Sequence, residues 1–253
     1  MSRPDSMFTG KNRIHFTELE STNTYTLELL SKINPPEGTC ITADYQTGGI
    51  GQFGRSWHSR ASENLLVSYI LYPHFLNVRD QFLLNVVASL AVLHTVRPML
   101  PKAAVKWPND IYAGSQKLAG ILIQNLLRGD KISATVIGIG LNINQTAFDP
   151  LLPNPTSLCL ETGHTWDRDD VLSRLSWHLE NHWLALRGDR HQYLIREYHD
   201  ALYLIGQWAV FHISGAGDTT ARIVGVNREG RLQLEDQNGK MLSCNLGELR
   251  FPV

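Results

Sequence analysis

The sequence predicts an α+β fold: a mixed β-sheet flanked by helices, with a small antiparallel β-barrel at its C-terminal end. Three observations carry that reading. Apolar residues recur at helical spacing over 82–96, through Phe82, Leu83, Val86, Val87, Leu90, Leu93 and Val96, and again over 167–186. Short β-branched or apolar runs bounded by turn residues surround those helices. From Gly206 the chain breaks into short β-like pieces separated by Gly215-Ala216-Gly217, Glu229-Gly230 and Asn238-Gly239.

Taken in order, residues 12–16 form a first short strand. Ser21, Thr22 and Asn23 offer N-cap chemistry for a helix reaching about residue 30, and Pro35, Pro36 and Gly38 break it. The β-branched stretch 39–45 is a strand, followed by a glycine-rich loop at 46–57. Residues 65–71 are apolar and short, as in a buried strand. Pro98 and Pro101 close the helix of 82–96. Residues 104–107 and 117–127 flank the turn Ala113-Gly114-Ser115 and read as a β-hairpin. Residues 132–138 add a strand, and the Pro- and Asn-rich stretch 144–165 is irregular. A second amphipathic helix spans 167–186 and a third 192–202. Four strands then follow at 208–213, 221–226, 232–235 and 240–245. The expected division is a larger domain over 1–203 and a small barrel over 204–253.

The 253 residues carry 23 Lys and Arg against 24 Asp and Glu, a net charge of −1. That balance supplies no global electrostatic reason to bind nucleic acid. The three cysteines, Cys40, Cys159 and Cys244, are far apart, with no CxxC pair and no disulfide framework. A reducing, cytoplasmic compartment is expected, with the thiols as small apolar residues. The N-terminal stretch lacks the apolar run of a signal peptide, and no segment approaches about 18 uninterrupted apolar residues. No membrane span is expected.

Four motifs could carry chemistry. In Gln46-Thr-Gly-Gly-Ile-Gly-Gln-Phe-Gly-Arg-Ser-Trp57, Gly48, Gly49, Gly51 and Gly54 fall within seven residues. Such a loop is entropically expensive to order, so it is either a flexible surface loop or a backbone cradle for an anion, with Arg55 as a fixed cation. It is no dinucleotide fingerprint, because no helix with apolar periodicity opens there, and no P-loop, because the Lys-Ser/Thr pair is missing. In Val105-Lys-Trp-Pro-Asn-Asp-Ile-Tyr112, Asn109 and Asp110 supply hard oxygens, suited to Mg²⁺ or to a turn beside a core tryptophan. Lys117-Leu-Ala-Gly-Ile-Leu122 sets one lysine before an apolar strand, as an edge residue or as a cation beside a ligand. Ile137-Gly-Ile-Gly-Leu-Asn-Ile-Asn144 ends a strand in Gly-x-Gly; Asn142 could bond a base or an amide. His178 and His182 stand i,i+4 on a helix, but the HExxH order is absent and no third ligand is suggested, so no metal is expected there. No GxSxG elbow is present either.

Together and in this order, the four motifs resemble the biotin–protein ligase family. Glu20-Ser21-Thr22-Asn23 matches that family's N-terminal pattern, and the segment with Leu246-Gly247-Glu248 resembles its SH3-like barrel. The resemblance implies a catalytic domain of the class II aminoacyl-tRNA synthetase-like, biotin–lipoate ligase type. It implies the family's reaction, that of a biotin–[acetyl-CoA-carboxylase] ligase: biotin and MgATP give biotinoyl-5′-AMP and pyrophosphate, and a lysine of a carboxylase's biotin carboxyl carrier domain then takes the acyl group. Cofactor and partners follow: Mg²⁺ with ATP, the carrier domain, no nucleic acid and no membrane, in a monomer or homodimer. Only about 12 residues precede the first strand, so a type without an N-terminal DNA-binding domain is expected.

The resemblance also assigns residues. Lys117 and Arg55 are the catalytic cations. Ser21, Thr22, Asn23, Gln46, Ile50, Gly51, Gln52 and Lys117 face biotin. Gly49, Gly51, Gly54, Arg55, Trp57, Asn109, Gly140 and Asn142 face the adenylate. Asp110 is the candidate Mg²⁺ ligand, and Lys106 a supporting residue. One departure stands out: Ile50 and Gln52 occupy positions where arginines are usual. Each missing charge-assisted bond is worth about 1.5–3 kcal/mol, and the charge then falls on Arg55 and Lys117. Within the same superfamily lipoate ligation is the alternative; a biotin-binding module without catalysis is the other. The polar Ser21-Thr22-Asn23 and Gln46 favour biotin over the apolar lipoate tail.

Overall fold

The computed structural model describes residues 5–252; the first four residues and Val253, the outermost positions of the two expected domains, lie outside that range. A seven-stranded mixed sheet forms from β1 (Arg13–Leu19), β2 (Cys40–Gln46), β3 (Leu65–Leu71), β4 (Ala104–Lys106), β5 (Asp110–Ala113), β6 (Gln116–Arg128) and β7 (Lys131–Leu141). Their spatial order is β1-β2-β3-β7-β6-β5-β4. The β1–β2 pair is parallel and the other neighbours are antiparallel. Its helices are α1 (Thr22–Lys32), α2 (Phe82–Val96), α3 (Leu158–Thr162), α4 (Arg168–Arg187) and α5 (His191–Asp200).

Side-chain alternation divides the sheet into two faces. On β3, Leu65, Val67, Tyr69 and Leu71 enter the core cluster that also holds α2 and α4. Tyr69 reaches α4, with its hydroxyl 2.8 Å from Ser176 Oγ. Ser68, between them, faces α1 and bonds its side chains. On β7, Ile137, Ile139 and Leu141 join the same core, while Gly138 and Gly140 lie on the α1 side. The helical core is thus built on one face, and the other is left for chemistry.

Local signals explain the ends of the helices. Ser21 caps α1, its Oγ accepting the Thr24 N–H. Asp167 caps α4 by accepting the N–H groups of Asp169 and Asp170, and Gly188 ends it.

Before the C-terminal part, two expectations need correction. The turn at Ala113-Gly114-Ser115 joins β6 not to the strand at Ala104 but to β5, a strand missing from the sequence reading. β4 pairs with β5 instead, across a tight turn at Trp107-Pro108-Asn109 whose Trp107–Pro108 peptide is cis. The run KWPND looked like a single turn because β5 begins only at its last residue, Asp110. The stretch 144–165, expected to be irregular, contains α3, capped by Ser157 and ended by Gly163 in the left-handed region.

The C-terminal part is a separate antiparallel sheet of five strands, one more than the four expected, the addition being the two-residue strand Leu249–Arg250. It comprises β8 (Trp208–Ile213), β9 (Gly217–Val226), β10 (Leu232–Asp236), β11 (Met241–Cys244) and β12 (Leu249–Arg250), in the order β11-β10-β9-β8-β12. It docks on the first sheet's helices and turns through named contacts. Trp107 Nε1 donates to Gly230 O at 2.8 Å. Arg228 bridges Asp80 with two bonds of 2.6 and 3.0 Å. His199 Nε2 accepts the Val226 N–H at 3.0 Å. Cys40 and Cys244 are buried and unpaired, and burial pushes the Cys40 thiol up to about 11, as inert apolar residues require. Among the described residues no helix is long and apolar enough to cross a membrane.

Candidate functional site

A cavity of about 730 Å³ opens on the α1 side of the mixed sheet. Its walls come from the start of α1, the glycine-rich loop, the β4–β5 turn, strands β6 and β7, the stretch around Pro153, and the C-terminal segment from Leu246 to Phe251. Its size falls within the usual span of small-molecule sites.

One end of the cavity is polar and uncharged. Gln46 Oε1 accepts the Thr22 backbone N–H at 2.8 Å and lies 2.9 Å from Thr22 Oγ1. Ser68 Oγ sits 2.6 Å from Asn23 Oδ1 and 2.8 Å from Thr22 Oγ1. A hydroxyl has one proton, so it goes to the amide oxygen, which cannot donate. Asn23 Nδ2 donates to Gln124 Oε1 at 2.9 Å. The amide of Asn23 is therefore held in one orientation from both sides.

The other end carries the charge. Lys117 Nζ lies 2.8 Å from Asp110 Oδ2 and 5.8 Å from the Trp57 ring centroid. Lys106 Nζ meets Tyr112 Oη at 3.0 Å, and burial lowers its pKa from the ordinary lysine value, with Asp110 opposing the shift and Lys117 adding to it. Burial also pushes the Tyr112 phenol up to about 12. Arg55 lines the cavity from an exposed position on the loop.

Three glycines make the room between these ends. A Cβ at Gly138 would overlap the Asn23 amide, and one at Gly140 would overlap the Trp57 indole. One at Gly120 would stand 3.0 Å from the same indole and 3.3 Å from Lys117 Nζ. The Gly-x-Gly of β7 and the Ala-Gly of β6 thus form a floor on which Trp57 lies flat. The Trp57 Nε1–H is buried there and has no acceptor among the described residues.

Of the residues expected to bind, Ser21, Thr22, Asn23, Gln46, Ile50, Gly51, Gln52, Arg55, Trp57, Asn109, Asp110, Lys117 and Gly140 line this one cavity. Gly49, Gly54 and Asn142 do not. Gly49 is buried where a Cβ would stand 2.5 Å from Trp57 O, so it lets the loop return on itself. Gly54 adopts φ +72 and serves the turn. Asn142 sits behind the wall, its Nδ2 donating to Thr156 O at 2.9 Å. It pins the segment after Pro153 and Pro155, which do line the cavity. Asn109 is buried and donates to Ile121 O, tying the β4–β5 turn to β6.

The sequence reading missed Ser68 and Gln124, which orient Asn23. A serine inside the otherwise apolar and aromatic run Leu65–Leu71 was the available signal. It also assigned no binding role to the C-terminal segment, although Leu249, Arg250 and Phe251 reach the cavity.

The Biotin/lipoate A/B protein ligase family profile matches residues 15–142, just over half of the 253 residues. The chain belongs to that family. The matched span of the Biotin/lipoate A/B protein ligase family runs from β1 to Asn142 and so covers both ends of the cavity. Among relatives, a biotin–[acetyl-CoA-carboxylase] ligase of Mycobacterium tuberculosis is 31% identical over 218 residues, covering 84% of this chain and 79% of that protein. The bifunctional ligase/repressor BirA of Bacillus subtilis is 34% identical over 170 residues, 66% of this chain and 52% of that protein. The chain thus spans about half the length of that curated relative. Among solved structures, a biotin protein ligase from Aquifex aeolicus in complex with biotin and ATP superposes with a TM-score of 0.78 at 28% identity, covering 96% of this chain and 99% of that one.

Proposed function

We propose that this chain is a biotin–protein ligase: it activates biotin with ATP and transfers the biotinoyl group to a lysine of a biotin carboxyl carrier domain. The observation that carries the reading is one cavity joining an uncharged polar end at Thr22, Asn23 and Gln46 to a cationic end at Lys106 and Lys117. The polar end suits the donors and acceptors of a ureido ring. The cationic end suits a carboxylate meeting an α-phosphate.

In the first step a carboxylate oxygen of biotin bonds the α-phosphorus, and the bond to pyrophosphate breaks. Lys117, held at 2.8 Å by Asp110, would offset the charge gathering on the phosphoryl oxygens. Loop amides around Gly51 and the Arg55 guanidinium would bind the phosphates, and the Trp57 ring would border the adenylate. In the second step a deprotonated lysine amine of the carrier bonds the acyl carbon. The bond to AMP breaks, AMP keeps the electron pair, and the amine's extra proton goes to solvent. Asp110 offers one carboxylate toward the cavity, a donor set that fits a Mg²⁺ held mostly by phosphates and water. That ion would neutralise phosphate charge.

Pyrophosphate release with ATP, Mg²⁺ and either biotin or lipoate tests the first step. Release with biotin alone is expected, and release with lipoate alone overturns the reading. Mass spectrometry of a carrier domain after incubation tests the second step, with a gain of one biotin expected.

A further inference from the structure

We propose that His94, His182 and Glu197 form a binding site for one zinc-class divalent metal ion, tying α2, α4 and α5 together on the face of the sheet away from the cavity. The three ligands come from three helices. Their ligand atoms all lie within 4.8 Å of one another. His94 Nε2 is 3.3 Å from Glu197 Oε1, and His182 Nε2 is 3.8 Å from Glu197 Oε2. Two imidazoles and one carboxylate are a common zinc donor set; the side chains would draw in modestly around the ion and a water would take the fourth position.

The hydrogen bonding points to a cation between them. His182 Nδ1 lies 2.7 Å from the His178 carbonyl oxygen, so that nitrogen carries the proton and donates. In a neutral ring Nε2 then turns its lone pair toward the carboxylate, the tautomer a metal needs. Two lone pairs facing each other repel unless a proton or a metal ion stands between them. Glu197 Oε2 is buried and accepts no hydrogen bond among the described residues. The i,i+4 pair His178 and His182 is therefore not the ligand pair; His178 supplies the backbone acceptor that orients His182.

The site would act on structure. The residue after Glu197, Tyr198, donates its hydroxyl to Pro108 O at 2.7 Å, behind the cavity wall. The next, His199, holds the C-terminal sheet through Val226. An ion on Glu197 fixes the helix that supports both. This inference does not depend on the reaction proposed above.

The test uses the full chain, stripped with chelator and titrated with Co²⁺ and then Zn²⁺. One saturable equivalent is expected, with cobalt absorption of tetrahedral intensity, no thiolate charge-transfer band and a raised Tm. His94→Gln and Glu197→Gln, checked for folding by circular dichroism, are expected to lose that equivalent and the Tm shift. Three outcomes would overturn the site: only weak binding spread over surface histidines, a thiolate band, or an undiminished equivalent in both variants. Should one variant fail to fold, the wild-type stoichiometry and the other variant still decide.

Discussion

Lys117 and Asp110 form an ion pair of 2.8 Å between the start of β6 and the start of β5, inside the cavity and across a hairpin. Both side chains are about three-tenths exposed, at 30% and 27%. The pair sets the ammonium where a reacting phosphate would pass. Lys117→Ala is expected to lower the rate of pyrophosphate release by about 10²–10³-fold, the usual loss for one preorganised charge-stabilising group. The Tm should change little, because the lysine is not part of the core. A variant with near-wild-type turnover would remove Lys117 from the mechanism.

Asp110→Asn separates the aspartate's two assignments. If the carboxylate helps to hold Mg²⁺, the Mg²⁺ concentration for half-maximal activity rises several-fold, measured at fixed ATP. If it only positions Lys117, kcat falls while the Mg²⁺ dependence stays in place.

Gly140 lies under Trp57, and a Cβ there would overlap the indole. Gly140→Ala is expected to cost about 1–3 kcal/mol of stability by overpacking and to raise the KM for ATP. The partner in the clash can be tested directly. In Trp57→Ala the space is vacant, so adding Gly140→Ala should cost far less than it does alone. Additive losses in denaturant melts would mean that the glycine serves something other than the indole.

The parts of the site legible in the sequence share a physical trait: each advertises itself through local cost. Glycines at 138 and 140, a lysine opening an apolar strand, and prolines beside a tryptophan are expensive unless something uses them. Ser68 gives only a faint signal, a single hydroxyl in a fully buried, otherwise apolar and aromatic strand. Its role is set by Thr22 and Asn23, some 45 residues away in sequence. β5 was hidden because its four residues follow directly on a proline turn and carry no alternation long enough to register. The C-terminal residues of the cavity were illegible for the same reason as the ligands of the histidine cluster: their meaning lies in long-range contacts. Helix 82–96, by contrast, has the bounds that periodicity predicts, because its apolar spacing is itself the cause of its packing.

Lys106 gives a pH dependence with a definite sign. Burial lowers its folded pKa below the ordinary lysine value, so between those two values the unfolded chain binds the extra proton. Its contribution to stability is therefore fully present above the unfolded lysine pKa and is lost as pH falls through the folded one. Lys106→Met, which keeps the aliphatic length, should raise the Tm at neutral pH relative to wild type. The gap should narrow on the alkaline side. A gap independent of pH would assign the effect to packing alone.

Trp107 joins the two sheets through a single polar bond. Its indole N–H donates to Gly230 O at 2.8 Å, from a ring that is nearly buried and also lines the cavity. Gly230 has φ +84, and a Cβ there would overlap Phe82, so its turn can present that carbonyl only as glycine. Trp107→Phe keeps an aromatic surface and removes the donor, leaving a carbonyl unpaired at a cost of about 1–3 kcal/mol. The loss falls on docking rather than on either sheet's own ladder. The expected signature is faster proteolytic cleavage near residue 204, together with a weaker grip on ligand, because Leu249 to Phe251 reach the cavity only while the second sheet is docked. Unchanged cleavage with a lowered Tm would place the energy of this bond in the first sheet instead.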